Sequence, residues 1–358
     1  MRENGKRWKD LLISSPRLAL IAQTVQYKLI SLPQNVRMLR FRCKYRWLGA
    51  VGEDVDCGEQ VSNSQVSNSS DAASRLPRDI LIHWLQRQLS AEAFSWLSEA
   101  ADKVAAASTD QQLYLAVSLV SHRVGKADLA LTAADLAAAD RARPGWTPAG
   151  WSADQAARLV LVLSTADAAK LAARLEQLFM TADVAELVTF YRGLPLYSQP
   201  ERYLFRAAEG ARSNMKAVFE AVAHNNPYPA ETFPEATWNQ MVLKALFIGS
   251  RLAAIQRLSK RQNPTLARML CDYAHERWAA GRSVSPELWR CVGPFADGEI
   301  LDDLTRALSS ADEAEAGAAA LALAASPAPQ ARDLLARRVD LAAAIGDGRL
   351  AWASLAPR

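Results

Sequence analysis

The stretch SADQAARLVLVLSTADAAKLAARLEQLFMTADVAELVTFYRGL, residues 152–194, decides the fold. Its apolar residues recur every three or four positions, the period of an α-helix with a buried face. Ser-Ala-Asp or Thr-Ala-Asp stands at Ser152, Thr165 and Thr181. Each reads as a helix start, a hydroxyl to cap and then an acid in the first turn, where the helix dipole favours negative charge. The connections between these helices are short, which predicts antiparallel neighbours.

The same pattern continues outward. Upstream, Ile80, Leu81, Trp84, Leu85 and Leu89 form one stripe. Ser90, Thr109 and Thr132 read as further caps, and Pro144 stops the last of these helices. Downstream, helices are expected near 199–209, 213–223, 235–248 and 263–280, with a short one from Ser285. No strand pattern emerges, and no repeat of fixed period. The expected fold is all-α, an irregular α-α superhelix or solenoid of antiparallel helix pairs.

Four segments are expected. Residues 1–57 form a basic, poorly ordered arm, or one with an isolated amphipathic helix. Residues 58–75, with their near-duplicated VSNSQVSNSS, form a low-complexity linker. Residues 76–310 form the helical domain, and residues 311–358 an Ala-rich helical end.

Charge supports this division. Residues 1–50 carry eleven Lys and Arg against two acids, a net +9; the chain as a whole is at +4, so the remainder is at −5. A mildly acidic body argues against nucleic-acid binding. The arm lacks acids from Leu11 to Gly52, a pattern suited to peripheral contact with an anionic membrane surface through residues 1–50. Cys43, Cys57, Cys271 and Cys291 show no C-x-x-C spacing, so neither a disulfide framework nor a zinc site is indicated. These features predict a cytoplasmic protein, peripheral to the inner membrane if the arm binds lipid. No cofactor is predicted.

One region breaks the Ala-rich regularity: HNNPYPAETFPEATWNQMVLKALFIG, His224 to Gly249. Pro227, Pro229 and Pro234 bias the residues before them away from helix, so an irregular loop is expected before a new helix at Pro234. His224, Asn225, Asn226, Tyr228, Trp238 and Asn239 could line a pocket for a polar ligand, or simply build a rigid corner. Lys244 lies among Leu243, Ala245, Leu246 and Phe247, and there it needs an acidic partner or an anionic ligand.

Arg268, Asp272, His275 and Glu276 share a face of the following helix, which the corner is expected to meet. His224, Asp272, His275 and Glu276 could together hold a metal, although a salt-bridged helix face is the default reading. There is no H-E-x-x-H and no paired Glu-x-x-His. The cluster RLSKRQ, with Arg257, Lys260 and Arg261, reads as a solvated turn. Trp146 and Trp151 read as core or groove-lining anchors.

The blocks NPYPAETFPEATWNQMVLKALF, NPTLARMLCDYAHERWAAGR and ELWRCVGPF, in this order, resemble the EboA family of bacterial proteins. The likeness is densest over residues 226–295. The resemblance implies a role in making or moving a small, cyclitol-type and perhaps prenylated metabolite, beside other enzymes of the pathway. It carries no catalytic residue to this chain. Three roles follow: a non-catalytic scaffold or small-molecule carrier; an enzyme using His224 or His275 as acid or base; and a membrane-surface adaptor acting through the arm.

Overall fold

A computed structural model describes residues 64–107 and 109–355. Among the described residues the chain is all-α, without strands. The helices are α1 (Ser64–Gln88), α2 (Ala91–Ala106), α3 (Gln111–Arg123), α4 (Ala133–Ala142), α5 (Ala153–Leu163), α6 (Ala168–Thr181), α7 (Val184–Arg192) and α8 (Leu204–Arg212). They continue as α9 (Lys216–Ala223), α10 (Tyr228–Thr232), α11 (Glu235–Phe247), α12 (Pro264–Ala279), α13 (Gly298–Leu308), α14 (Glu313–Ala325), α15 (Pro329–Ala336) and α16 (Val339–Gly346). Short 3-10 turns join several of them.

The basic arm, Cys43, Cys57 and the expected membrane contact lie outside the described residues. So does the start of the expected linker. Its remainder, from Ser64, is the first part of α1. Propagating an existing helix needs only one more hydrogen bond per residue fixed, so Ser and Asn can join a helix whose later turns are strongly apolar.

The packing around α5 departs from a solenoid. In a solenoid each unit touches only its neighbours in sequence. Here α1 packs on α5 although three helices intervene, and α2, α3 and α7 pack on it too. Every residue of α5 except Gln155 is buried, and a helix buried all round is a central one. Its one buried cation, Arg158, is neutralised by Asp154 at 2.6 Å and also bonded to Ser121. α14 plays the same part in the second half, enclosed by α13, α15, α16 and the 3-10 turns Pro286–Cys291 and Gly293–Phe295. Within the Ala-rich end α14 is thus core, where small side chains let backbones approach, whereas α15 and α16 each bury a single residue, Ala331 and Leu341. A Cβ on Gly293 would lie 2.6 Å from the Ala322 carbonyl oxygen.

The caps differ in detail from the sequence expectation. Ser90, Thr132 and Asn263 cap as expected, each accepting a backbone N–H. Ser152 begins α5. At the other two Ser/Thr-Ala-Asp sites the Asp is the cap: Asp167 accepts from the Lys170 N–H and Asp183 from the Glu186 N–H. The freed Thr165 hydroxyl accepts instead from buried Arg174, which also pairs with Asp110 at 2.8 Å. That pairing places Thr109 and Asp110 on Arg174, so Thr109 does not cap α3. Tyr228 and Pro229 also depart from expectation, opening the short helix α10. Proline is tolerated in a first turn, where its missing N–H costs no bond.

Candidate functional site

α9 ends at Ala223, and His224 leaves it in an extended conformation that forms an antiparallel bridge to Ile255. Asn225 follows in the left-handed region, φ 50°, with its N–H on the Ala254 carbonyl. Asn and Asp are the residues best suited to that conformation after Gly. The sharp turn leaves His224, Asn225 and Asn226 against a cavity of about 230 Å³.

Three other pieces complete the wall. Val188 and Arg192 come from the end of α7, and Ala217, Glu220 and Ala221 from α9. Trp146, Thr147, Ala149 and Trp151 come from the loop between α4 and α5. This loop is fixed at several points. Gln256 donates to the Gly145 carbonyl at 2.8 Å, and Arg143 donates to the Pro195 carbonyl at 2.9 Å. Glu231 of α10 pairs with both Arg143 and Arg257. The indoles of Trp146 and Trp151 lie 6.1 Å apart and tilted, and Trp84 lies behind Trp146 at 5.6 Å.

The polar groups are not equivalent. The Ser250 hydroxyl lies 2.7 Å from Glu220 Oε1 and 3.1 Å from His224 Nε2, linking acid and imidazole. Burial pushes the His224 pKa down, although the nearby Glu220 carboxylate opposes this. Arg192 Nη1 donates to Gln155 Oε1 at 2.8 Å and to the Gly150 carbonyl at 3.3 Å. Among the described residues Arg192 has no carboxylate partner, and burial alone lowers its pKa.

The residues expected from sequence to form one site are thus distributed over several places. His224, Asn225 and Asn226 share the cavity wall, with Asn226 mainly structural: its Nδ2 donates to the Tyr191 and Ala221 carbonyls, and its Oδ1 accepts from the Tyr228 N–H. Tyr228, Trp238 and Asn239 are wholly buried core. Lys244 lines a different cavity of about 300 Å³ between α8 and α11, and its ammonium donates a hydrogen bond to the Arg212 carbonyl. A backbone carbonyl takes the place of the acid expected there.

Arg268, Asp272, His275 and Glu276 lie on the exposed face of α12, while Leu266, Leu270 and Ala274 hold its other face in the core. His275 pairs with Asp303. The corner therefore does not meet this face. Among the described residues no three His, Cys, Asp or Glu side chains come close enough to hold a metal, so His224, Asp272, His275 and Glu276 are not assembled. Cys271 and Cys291 are buried thiols, each pushed up to about 12 by burial.

A family model described as metabolite traffic protein EboA matches residues 78–293, well over half the chain. The chain belongs to the EboA family. The match begins in α1 and ends at Gly293, so it takes in every residue lining the EboA cavity. Neither a curated protein nor a solved structure is significantly similar to this EboA chain. Also among the described residues, no helix is long and apolar enough to cross a membrane.

Sequence reasoning missed Arg192, Glu220 and Ser250. Each sits on an ordinary helix or turn, with no local pattern to single it out. The other wall was more visible. RPGWTPAGW, residues 143–151, puts two Trp, two Pro and two Gly in a connection between helices.

Proposed function

We propose that this EboA protein is a non-catalytic carrier of a small polar metabolite, held in the cavity bounded by α7, α9, the His224–Asn226 turn and the 143–151 loop. The observation that carries this reading is the makeup of that wall. A cation with no carboxylate partner among the described residues, an acid–hydroxyl–imidazole chain and two indoles converge on one cavity tied down on several sides. Convergent polar groups on an aromatic-lined, preformed cavity are the usual form of a small-molecule site. Its volume, about 230 Å³, suits a compact polar head, such as the cyclitol-type molecule implied by the family resemblance. A prenyl tail on such a molecule would lie outside the cavity. Handing that cargo to enzymes of the same pathway, or docking at a membrane through residues 1–50, are further parts of the proposal.

The enzyme reading is weaker. His275 stands on another face of the fold, leaving only His224 in the wall.

The test is native mass spectrometry of the full chain purified without denaturation, beside Ala217→Trp. Ala217 is an exposed rim residue of α9, so a large side chain there should fill the mouth without disturbing the core. A small molecule retained by the wild type, lost on denaturation and absent from Ala217→Trp is the expected result. Equal retention by both proteins would remove this cavity as the site.

A further inference from the structure

We infer that the ligand of this cavity is a small oxyanion, a carboxylate or phosphate held by Arg192, with hydroxyl or ammonium hydrogens turned toward Glu220. This inference rests on the carrier reading and adds the ligand's charge.

Several buried or half-buried arginines of this fold are paired with carboxylates. Arg158 is paired with Asp154, Arg174 with Asp110, and Arg206 with Glu176 and Glu209. Arg143 shares Glu231 with Arg257. Arg261 is half-buried without a carboxylate, but three backbone carbonyls and the Trp238 ring take its guanidinium. Arg192 is half-buried and lines the cavity, and among the described residues no carboxylate pairs with it. Its Nη1 hydrogens are committed to Gln155 and the Gly150 carbonyl, which hold the guanidinium in place. Its Nε and Nη2 make no hydrogen bond among the described residues. A partly desolvated cation whose hydrogen bonds go only to neutral acceptors is stabilised further by an anion beside it. A fixed guanidinium edge is matched by two oxygens of one planar acid or of a phosphate.

Glu220 fixes the orientation. It lines the same cavity, yet it forms no ion pair with Arg192. Its Oε1 accepts from Ser250 and lies 3.8 Å from the exposed Lys216 ammonium, and no ion pair uses its other oxygen among the described residues. An anionic group placed beside it would be repelled, so the ligand's charge belongs at the Arg192 side. The opposite end of the ligand must offer hydrogen-bond donors. Trp146 and Trp151 add apolar surface to the same wall.

The experiment uses the full chain and follows tryptophan fluorescence, because both indoles line the cavity. The probes are gluconate, a glucose phosphate, inorganic phosphate and neutral glucose. Gluconate against glucose phosphate separates a carboxylate ligand from a phosphate ligand, and inorganic phosphate reads the anion without a polyol body. An anionic sugar should bind roughly tenfold or more tightly than glucose, the scale of one charge-assisted hydrogen bond. Arg192→Gln should abolish the preference, Arg192→Lys should keep part of it, and Ala217→Trp should block every probe. On the wild type, the anionic probe should also slow phenylglyoxal modification of Arg192, read by peptide mass spectrometry, which needs no variant to fold.

Glucose binding as tightly as the anions, or a preference that survives Arg192→Gln, would overturn the inference and leave the carrier reading intact. A neutral molecule retained in native spectra would do the same. If no probe binds and the native spectra are also empty, both readings fall.

Discussion

Asn239 and Asn263 exchange hydrogen bonds in both directions, Asn239 Nδ2 to Asn263 Oδ1 at 3.1 Å and the reverse at 2.9 Å. The same Asn263 Oδ1 accepts from the Leu266 N–H and caps α12. One amide pair thus fixes α11 to the start of α12. Asn239 is almost fully buried, so removing it strands the polar atoms of its partner. Asn239→Ala should cost about 2 kcal/mol. Asn263→Ala should cost more, because about 1 kcal/mol of capping is lost with it. The double variant should cost less than the sum of the two, since each single change leaves the other amide unpaired. Urea denaturation of the three proteins checks this; strict additivity would show that the pair does not act as a unit.

His224 gives a pH dependence whose sign follows from its surroundings. Burial lowers its pKa in the folded chain below the ordinary 6.5. Between these two values the unfolded chain binds more protons than the folded one, so stability rises with pH. The contribution is fully present above the unfolded pKa and is lost as pH falls from there through the folded value. Groups facing the ring include Glu220 and Glu287, which favour its charged form, and Lys216, which opposes it. His224→Gln should flatten that part of the stability–pH curve, measured by thermal unfolding from neutral to mildly acidic buffer. An unchanged slope would assign the acid sensitivity to other groups.

The helices and several of their starts were legible because they rest on local signals, apolar period and capping residues. Thr132 and Asn263 cap where the sequence places them. What was not legible depends on which helix lies beside which. Nothing local tells that Thr165 will serve Arg174, or that a carbonyl of Arg212 will satisfy Lys244. The candidate site shows the same limit. Three consecutive residues, His224, Asn225 and Asn226, were found from their unusual composition, whereas Arg192 and Ser250 reach the site only through packing. The face of Arg268, Asp272, His275 and Glu276 was correctly seen as one face. Its apolar opposite face made it the solvent side.

Gly293 tests whether the Ala-rich end belongs to the core. An added Cβ would meet Ala322 backbone atoms at 2.6 and 2.8 Å, and backbone inside a central helix cannot step aside as a side chain can. Gly293→Ala should therefore destabilise the protein by about 1–3 kcal/mol, the range for overpacking a close contact. Gly346 in α16 is the control, because nothing lies within 4 Å of the place a methyl group would take there. Gly346→Ala should be neutral or slightly stabilising, since alanine is the better helix former. Equal melting temperatures for the two variants would place α14 outside the cooperative core.

Arg261 turns the apparently solvated RLSKRQ cluster into a structural element. Its Nη1 reaches the carbonyls of Pro229, Ala230 and Phe233 at 3.2, 3.1 and 2.8 Å, at the end of α10. Its guanidinium also lies 4.8 Å from the centre of the Trp238 ring. A cation is favoured at a helix C-terminus, and a planar one can also stack on an indole. Arg261→Ala should cost about 2 kcal/mol, the scale of a charged hydrogen bond with a partly buried cation–π contact. Arg261→Lys keeps the charge but loses the flat stacking surface, so it should recover only part of that. Lys260 is exposed, and Lys260→Ala should stay within about 0.5 kcal/mol of the parent. Urea denaturation gives the three values, and equal effects at the two positions would return the cluster to its reading as a solvated turn.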